Sequence, residues 1–297
     1  MTADSWTPTD EPTKAPAVGD LSTGFRCVLD TDLARLPTVI ADGGSVGRHW
    51  LAAASITGLG HQHHARTGQD SYAFTERGTS LVAAVTDGLG ERPKTSQLGA
   101  TAAARMLCDE LGDVVSPRLW WWHRQQVVAA IGRASERLED AVERFRPDLA
   151  PRDVATTAAF CVLSSVGDRS DAVVGRIGDC GAFTITNGVW SSVFQRDEGP
   201  TNIVRACLPS PAPTRGVELK RVRLDGSAVV VLTTDELAND IFSSPSIRDW
   251  LADRWQQPAT TFHMIETLRY RRQGSHDDRT ALVVWPFVHQ AATAAVG

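Results

Sequence analysis

The stretch SLVAAVTDGLG, from Ser80 to Gly90, joins an apolar run to an acid and two glycines. A short run of small and β-branched apolar residues is typical of a buried strand. Asp87 stands where this strand ends, and Gly88 after it lets the backbone turn sharply and its carbonyl approach a bound ion. The stretch therefore predicts a core strand that carries an acid at the edge of its sheet.

Three further segments repeat this arrangement of an acid beside an apolar run. They are GQDS around Asp70, TTDEL around Asp235 and SHDDRT around Asp277. A single aspartate at a strand end is usually a turn or cap residue, so the interpretation depends on the recurrence. If a sheet brings the four carboxylates together, their repulsion requires cations. Oxygen ligands without paired cysteines or helix-spaced histidines favour Mg²⁺ or Mn²⁺ over Zn²⁺.

The remaining hydrophobic pattern predicts strands and helices that do not alternate as β-α-β units. Such an order indicates an α+β fold with mixed, mostly antiparallel sheets and helices packed outside them. We expect strands at 48–57, 71–75, 80–86, 157–163, 172–177, 182–186, 189–194, 218–224, 228–233 and 280–285. We expect helices at 98–111, 116–145, 237–242, 245–254 and 259–272.

Composition excludes several classes of protein. With 42% hydrophobic and 22% charged residues, the 297-residue chain has ordinary soluble globular composition. A net charge of -5 without a Lys/Arg block argues against nucleic-acid and acidic-membrane partners. Residues 1–20 have neither a positive start nor an apolar centre, so we expect a cytoplasmic protein. The odd number of cysteines, without C-x-x-C spacing, predicts neither a disulfide framework nor a zinc knuckle.

Two more elements, DVATTAA at 153–159 and RIGDCGAF at 176–183, lie between the acidic segments. In this order the chain resembles the metal-dependent protein phosphatases of the 2C family, and more closely their bacterial branch. The resemblance covers about residues 55 to 285. Each element alone is a weak indication of the family, whereas six of them in this order are a specific one. The six elements are Gln69–Asp70, Asp87–Gly90, Ala155–Thr157, Gly178–Gly181, Thr234–Glu236 and Asp277–Thr280.

The resemblance implies a four-layer α-β-β-α sandwich and a metal-dependent phosphoserine/phosphothreonine phosphatase active in bacterial signalling. It implies a catalytic domain at 23–289 between a disordered tail at 1–22 and a C-terminal tail at 290–297. The implied cofactors are two Mn²⁺ or Mg²⁺ ions, with a possible third. The implied substrate is a phosphorylated protein, such as the product of a Ser/Thr kinase, attacked by a metal-activated water without a covalent intermediate.

The resemblance also implies roles for single residues. Asp87 would bridge both ions, with the Gly88 carbonyl holding one of them. Asp235 and Asp277 would complete the other. Asp70, counted with the metal site, would orient the attacking water, and Asp153 would serve a weaker third ion.

Four residues depart from the family pattern. Gln69 stands where many members carry a second acid, and Leu89 replaces a histidine that bacterial members also commonly lack. Arg66, the candidate phosphate-binding arginine, lies one place nearer the Gln-Asp pair than usual, and Glu236 replaces a glycine. Gln69, Arg66 and Glu236 keep an alternative open, a catalytically impaired phosphatase-like binding module. A hydrolase of another phosphoester is a further alternative.

Two clusters outside the acidic segments have plainer interpretations. The residues around His61, His63 and His64 are not those of a histidine metal site, so we expect these histidines to lie in a solvated loop. The run 120–122 of three tryptophans is expected to pack mainly in the core, with at least one indole partly exposed.

Overall fold

The computed structural model describes residues 14–21, 24–28, 37–90, 95–114, 123–166, 169–196, 206–210, 212, 216–224 and 228–286. The strands are β1 (Ala17–Val18), β2 (Val39–Val46), β3 (His49–Ile56), β4 (Asp70–Arg77), β5 (Ser80–Gly88), β6 (Thr156–Val166), β7 (Arg169–Ile177), β8 (Gly181–Thr186), β9 (Val189–Ser192), β10 (Val217–Leu224), β11 (Ala228–Thr233), β12 (Arg271–Arg272) and β13 (Arg279–Pro286). The helices are α1 (Leu59–His63), α2 (Ser96–Gly112), α3 (His123–Phe145), α4 (Asp235–Ser243), α5 (Pro245–Arg254) and α6 (Thr261–Leu268), with a 3-10 helix at Pro151–Val154.

Two antiparallel sheets form the centre of the molecule. One has five strands in the order β10-β7-β6-β5-β4, and the other has six in the order β2-β3-β13-β11-β8-β9. Every pairing within these two sheets is antiparallel. A separate two-residue pairing, β1 with β12, is parallel.

Strand β5 explains why a continuous apolar run occupies the centre of a sheet. Leu81, Ala83 and Val85 lie in the core between the two sheets. Val82 and Ala84 point to the other face and pack under α2 and α3. Because successive side chains of a strand point to opposite faces, a strand covered on both sides must be apolar at every position.

The predicted four-layer sandwich is confirmed. Helices α2 and α3 cover the five-stranded sheet, and α4, α5 and α6 cover the six-stranded sheet. The hairpin turn at Asn187–Gly188 has φ of 51° and 78°, as this residue pair favours. No helix of the described ranges is both long and apolar enough to cross a membrane.

The sequence prediction differs from the structure at several elements. β2 was not predicted, because its polar and glycine-rich sequence VIADGGSV lacks alternation, and it is held as an edge strand by β3. The helix predicted over 259–272 ends at Leu268, because Arg271 and Arg272 pair with Ala17 and Val18. The start of the helix predicted at 116–145 and the tryptophans at 120–122 lie outside the described residues. So does the tail at 290–297, and the proposed domain bounds stay a prediction.

Gly175 offers a direct check of the packing beneath α2 and α3. It lies opposite Phe160 in the β6-β7 pairing, and a Cβ at this position would lie 2.1 Å from the Phe160 ring. Phe160 is fully buried and cannot move aside freely. We predict that Gly175→Ala lowers the free energy of unfolding by about 1–3 kcal/mol through overpacking, measured by urea denaturation.

The matched control is Gly132→Ala on α3, where an added Cβ meets nothing within 4 Å. Alanine there should stabilise the helix by about 0.5–1 kcal/mol. Equal stability of the two variants would contradict the packing of Phe160 over Gly175.

Candidate metal centre

Asp70 and Asp87 face each other across two neighbouring strands. Asp70 begins β4 and is the direct pairing partner of Asp87 near the end of β5. Residues directly opposite in an antiparallel pair have Cβ atoms about 4.5–5.5 Å apart. The two acids are therefore forced together by the register of the β4-β5 hairpin.

Asp235 and Asp277 come from the six-stranded sheet, at the same end of the sandwich. β11 ends at Thr233, which pairs with Ala281 near the start of β13, so the segments just beyond these residues lie side by side. Thr234 joins the two sheets: its Oγ1 donates to Asp70 Oδ2 at 2.7 Å and accepts from the Thr280 amide at 3.1 Å. This hydroxyl ties β4 of one sheet to the β11-β13 edge of the other.

Five carboxylates form what we call the acid cluster: Asp70, Asp87, Asp179, Asp235 and Asp277. Burial raises the pKa of Asp87 well above its usual value, and the other four carboxylates raise it further. Burial, followed by the charges of Asp179, Asp277 and Glu236, raises the pKa of Asp235 to about 7. Asp70 also has a raised pKa, owing first to burial and then to Asp278.

The acid cluster fits hard divalent cations. It offers only carboxylate oxygens, which are the ligands that Mg²⁺ and Mn²⁺ take. The raised pKa values express the same fact, since several buried negative charges at one point bind protons when no cation balances them. The donor set thus agrees with the metal chemistry inferred from the sequence.

Asp179 is a member of the acid cluster that the sequence analysis did not assign. It lies between the end of β7 and the start of β8, after Gly178, whose φ is +85°. β8 pairs with β11 at Gly181 and Thr233, two residues before Asp235. The signal was present, because Asp179 is also an acid flanked by glycine at a strand edge.

The turn after Asp87 is held by hydrogen bonds to the segment Ala155–Thr156. Thr156 Oγ1 donates to the Asp87 carbonyl at 2.7 Å, and the Leu89 amide donates to the Ala155 carbonyl at 2.7 Å. A Cβ on Gly88 would lie 2.6 Å from the Ser96 carbonyl oxygen, so this position has no room for a side chain. The Ala155–Thr157 element thus acts by fixing the turn that carries Asp87.

Asp278 is the anchor of the loop that carries Asp277. Its buried carboxylate accepts from the amides of Gly58 at 2.7 Å and Gln69 at 2.5 Å, and from His61 Nδ1 at 2.9 Å. Asp277 beside it has a side chain 60% exposed. Ligand atoms of His61, Asp277 and Asp278 lie within 4.8 Å of one another. Since three donors already occupy Asp278, we assign His61 and Asp278 to structure and only Asp277 to the acid cluster.

The solvated loop predicted for the histidines is wrong. His61 and His63 belong to α1, where His61 is partly buried against Asp278. The ring of His63 packs against Phe25 at 5.2 Å. The N-terminal segment around Phe25 covers part of this helix, and the Arg26 amide donates to His63 Nδ1 at 3.0 Å.

The departures from the family pattern have definite places. The Gln69 side chain is buried, and its Nε2 donates to the Gly90 carbonyl at 3.4 Å. Arg66 follows α1, with its charge acting on His61. Asp153 caps its own 3-10 helix by accepting from the Ala150 amide at 2.9 Å. The phosphate-binding role of Arg66 and the third-ion role of Asp153 stay predictions.

Glu236 turns toward the loop at 275–277. Its Oε1 lies 3.5 Å from the Asp277 amide, which donates to it. Burial raises the pKa of Glu236, and the charges of Asp240 and Asp277 raise it further. Glu236 therefore braces the segment that carries Asp277 and adds negative charge next to Asp235.

A family model for protein phosphatase 2C matches residues 57–269. The match covers most of the chain, which belongs to the protein phosphatase 2C family, a family of metal-dependent protein-serine/threonine phosphatases. No curated protein matches the chain by sequence.

Solved structures share the fold at low sequence identity. One is the catalytic domain of the serine/threonine phosphatase PstP in complex with two manganese ions, with 19% identity, coverage of 80% of this chain and 97% of that one, and a TM-score of 0.53. PppA, a regulatory component of T6SS in Pseudomonas aeruginosa, has 17% identity, coverage of 82% and 100%, and a TM-score of 0.54. The S. agalactiae serine/threonine phosphatase has 14% identity, coverage of 83% and 99%, and a TM-score of 0.55.

The acid cluster predicts an unusual pH dependence of stability. A raised pKa means that folded Asp235 binds its proton more tightly than the unfolded chain does, so stability is lost as pH rises through about 7. In a chelator, lowering the pH from about 8 to about 5 should therefore raise the melting temperature, by roughly 5 °C. Saturating Mn²⁺ should flatten this trend, because cations then replace protons.

Thermal unfolding with and without chelator measures this trend, and Asp235→Asn is the control that removes one of the titrating groups. The variant should show a shallower slope in chelator. A melting temperature that falls on acidification over this range, equally in both proteins, would contradict the repulsion within the acid cluster.

Proposed function

We propose that this protein hydrolyses phosphoserine and phosphothreonine in protein substrates with two divalent cations, Mn²⁺ or Mg²⁺, held by the acid cluster. The observation that carries the proposal is the convergence of five carboxylates from both sheets at one end of the sandwich. The manganese complex of PstP supports the choice of two ions. We further propose a cytoplasmic role in bacterial signalling, on substrates made by a Ser/Thr kinase.

Each residue has a task that follows from its position. Asp87 lies among the other four acids and would contact both ions, while Asp235 and Asp277 would complete one of the two coordination shells. Asp70 has one oxygen held by the Thr234 hydroxyl, which fixes the orientation of this carboxylate, and it would orient the attacking water. When bound, the cations make that water acidic and neutralise the phosphoryl oxygens.

Three further residues complete the proposal. The Gly88 carbonyl would hold one ion, because the turn is fixed by Ala155 and Thr156. Arg66 would grip the phosphate, since a guanidinium forks onto two phosphate oxygens. Asp153 would serve a weaker third ion.

The test is hydrolysis of an aryl phosphate and of a phosphothreonine peptide. We predict that Asp87→Asn and Asp235→Asn each lower kcat/KM by at least about 100-fold, because even displacing a ligand's supporting group costs about 10- to 100-fold. Chelator should abolish activity in the unmodified protein, and Mn²⁺ should restore it. Asp148→Asn is the matched control, an exposed acid paired with Arg146. Turnover that survives both chelator and Asp87→Asn would refute the metal-dependent mechanism.

A second candidate function, a catalytically impaired phosphoprotein-binding module, is favoured by the charge of Glu236 next to Asp235. The hydrogen bond from the Asp277 amide to Glu236 argues for the opposite effect, support of the metal centre. We predict that Glu236→Gly weakens Mn²⁺ binding by about tenfold without raising kcat, measured by calorimetry and by titrating activity with Mn²⁺. Glu236→Gln keeps a hydrogen-bond acceptor, so its Mn²⁺ affinity should lie between those of the unmodified protein and Glu236→Gly. Turnover that appears only in Glu236→Gly would establish the impaired module instead.

A further inference from the structure

A cavity of about 310 Å³ opens beside Asp277. It lies between the end of β3, the start of α1 and the segment from Leu268 to Arg279. Leu21 of the N-terminal segment forms part of its wall, together with the apolar side chains Ile56, Leu59 and Tyr270. Because Asp277 belongs both to this wall and to the acid cluster, the cavity adjoins the candidate metal centre.

The charge of the cavity wall is opposite to that of the neighbouring acid cluster. Its ionisable side chains are Asp277, His276, Arg269, Arg271, Arg272 and Arg279. Four arginines and one aspartate therefore line the cavity, in a chain whose net charge is -5. We call this site the arginine cavity.

Two of the arginines form ion pairs with Asp240, a fully buried acid on α4. Arg272 Nη1 lies 2.6 Å from Asp240 Oδ1, and Arg279 Nε lies 3.6 Å from Asp240 Oδ2. Arg279 also donates to the Tyr270 carbonyl at 2.7 Å. These two side chains are structural, because they hold the segment that leads to Asp277.

Arg269 and Arg271 keep their charge available to a ligand. Both are exposed. Arg271 Nη2 donates to the Leu21 carbonyl at 3.2 Å. The other N–H groups of this guanidinium can donate to a ligand. Within the described ranges the Arg269 side chain makes no hydrogen bond or ion pair. Two guanidinium groups over an apolar wall match a carboxylate on a short aliphatic stem, since guanidinium binds carboxylate in a bidentate fork.

We propose that the arginine cavity binds an acidic side chain, aspartate or glutamate, that flanks the phosphoresidue of the substrate. This inference rests on the proposed function and assigns it a substrate class, phosphoproteins with acidic residues near the phosphorylation site. An extended peptide advances about 3.3–3.6 Å per residue. A phosphate at the acid cluster would therefore place a residue only a few positions away beside Arg269 and Arg271.

The experiment compares phosphothreonine peptides that carry glutamate on either side of the phosphoresidue with the matching glutamine peptides. We expect kcat/KM to be about tenfold higher for the better glutamate peptide, the value of one charge-assisted contact. The double variant Arg269→Ala/Arg271→Ala should reduce this ratio to near one and leave aryl phosphate hydrolysis unchanged. Arg124→Ala/Arg144→Ala on α3 removes the same charge from the opposite face and should keep the ratio.

Binding in chelator gives a readout that does not require turnover. Fluorescence anisotropy with labelled peptides should show the same preference for glutamate and its loss in Arg269→Ala/Arg271→Ala. Equal binding of glutamate and glutamine peptides would overturn the inference, whatever the activity. A stronger preference for a second phosphothreonine than for glutamate would overturn the assignment to carboxylates. If the protein does not hydrolyse aryl phosphate but still binds glutamate peptides more tightly than glutamine peptides, the proposed function is refuted and this inference is not.

Discussion

The hydroxyl of Thr234 connects the two sheets where their acidic ends meet. It donates to Asp70 on one sheet and accepts from the Thr280 amide on the other, and this link is possible only if both sheets keep their register. A shift of one residue in β4 or β5 would turn Asp70 and Asp87 to opposite faces. The pairing of β5 with β4 and β6, together with the fit of its side chains against the core on one side and against α2 and α3 on the other, holds that register. Core packing therefore determines where the carboxylates lie.

Holding like charges together has a structural consequence around the acid cluster. Acids outside it are satisfied by donors: Asp278 by two amides and His61, and Asp240 by Tyr270, Ser275 and Arg272. Both anchors hold the segment from Tyr270 to Asp278. The repulsion therefore acts among the five acids and also reaches them from Glu236 and Asp278, while the donors around Asp240 and Asp278 hold the supporting segment in place.

The sequence predicted most of the fold, because its strands are either continuously apolar or bounded by glycine. It also identified Asp70, Asp87, Asp235 and Asp277, which the structure brings together. It missed β2, whose order comes from pairing with β3, since pairing partners across a sheet leave no local signal. It missed Asp278 for the same reason: the amides of Gly58 and Gln69 are distant in sequence. Asp179 was visible in the G-D-C-G element, but only three-dimensional proximity distinguishes a ligand candidate from a turn residue.

The pairing of β1 with β12 links distant parts of the chain mechanically. The Arg271 amide donates to the Pro16 carbonyl, and the Gln273 amide donates to the Val18 carbonyl. Gln273 lies four residues before Asp277. Because proteins open locally in contiguous units, release of the N-terminal segment would remove these two hydrogen bonds from the segment that leads to Asp277. That segment would then be held by the contacts of Asp240 and Asp278 with their donors.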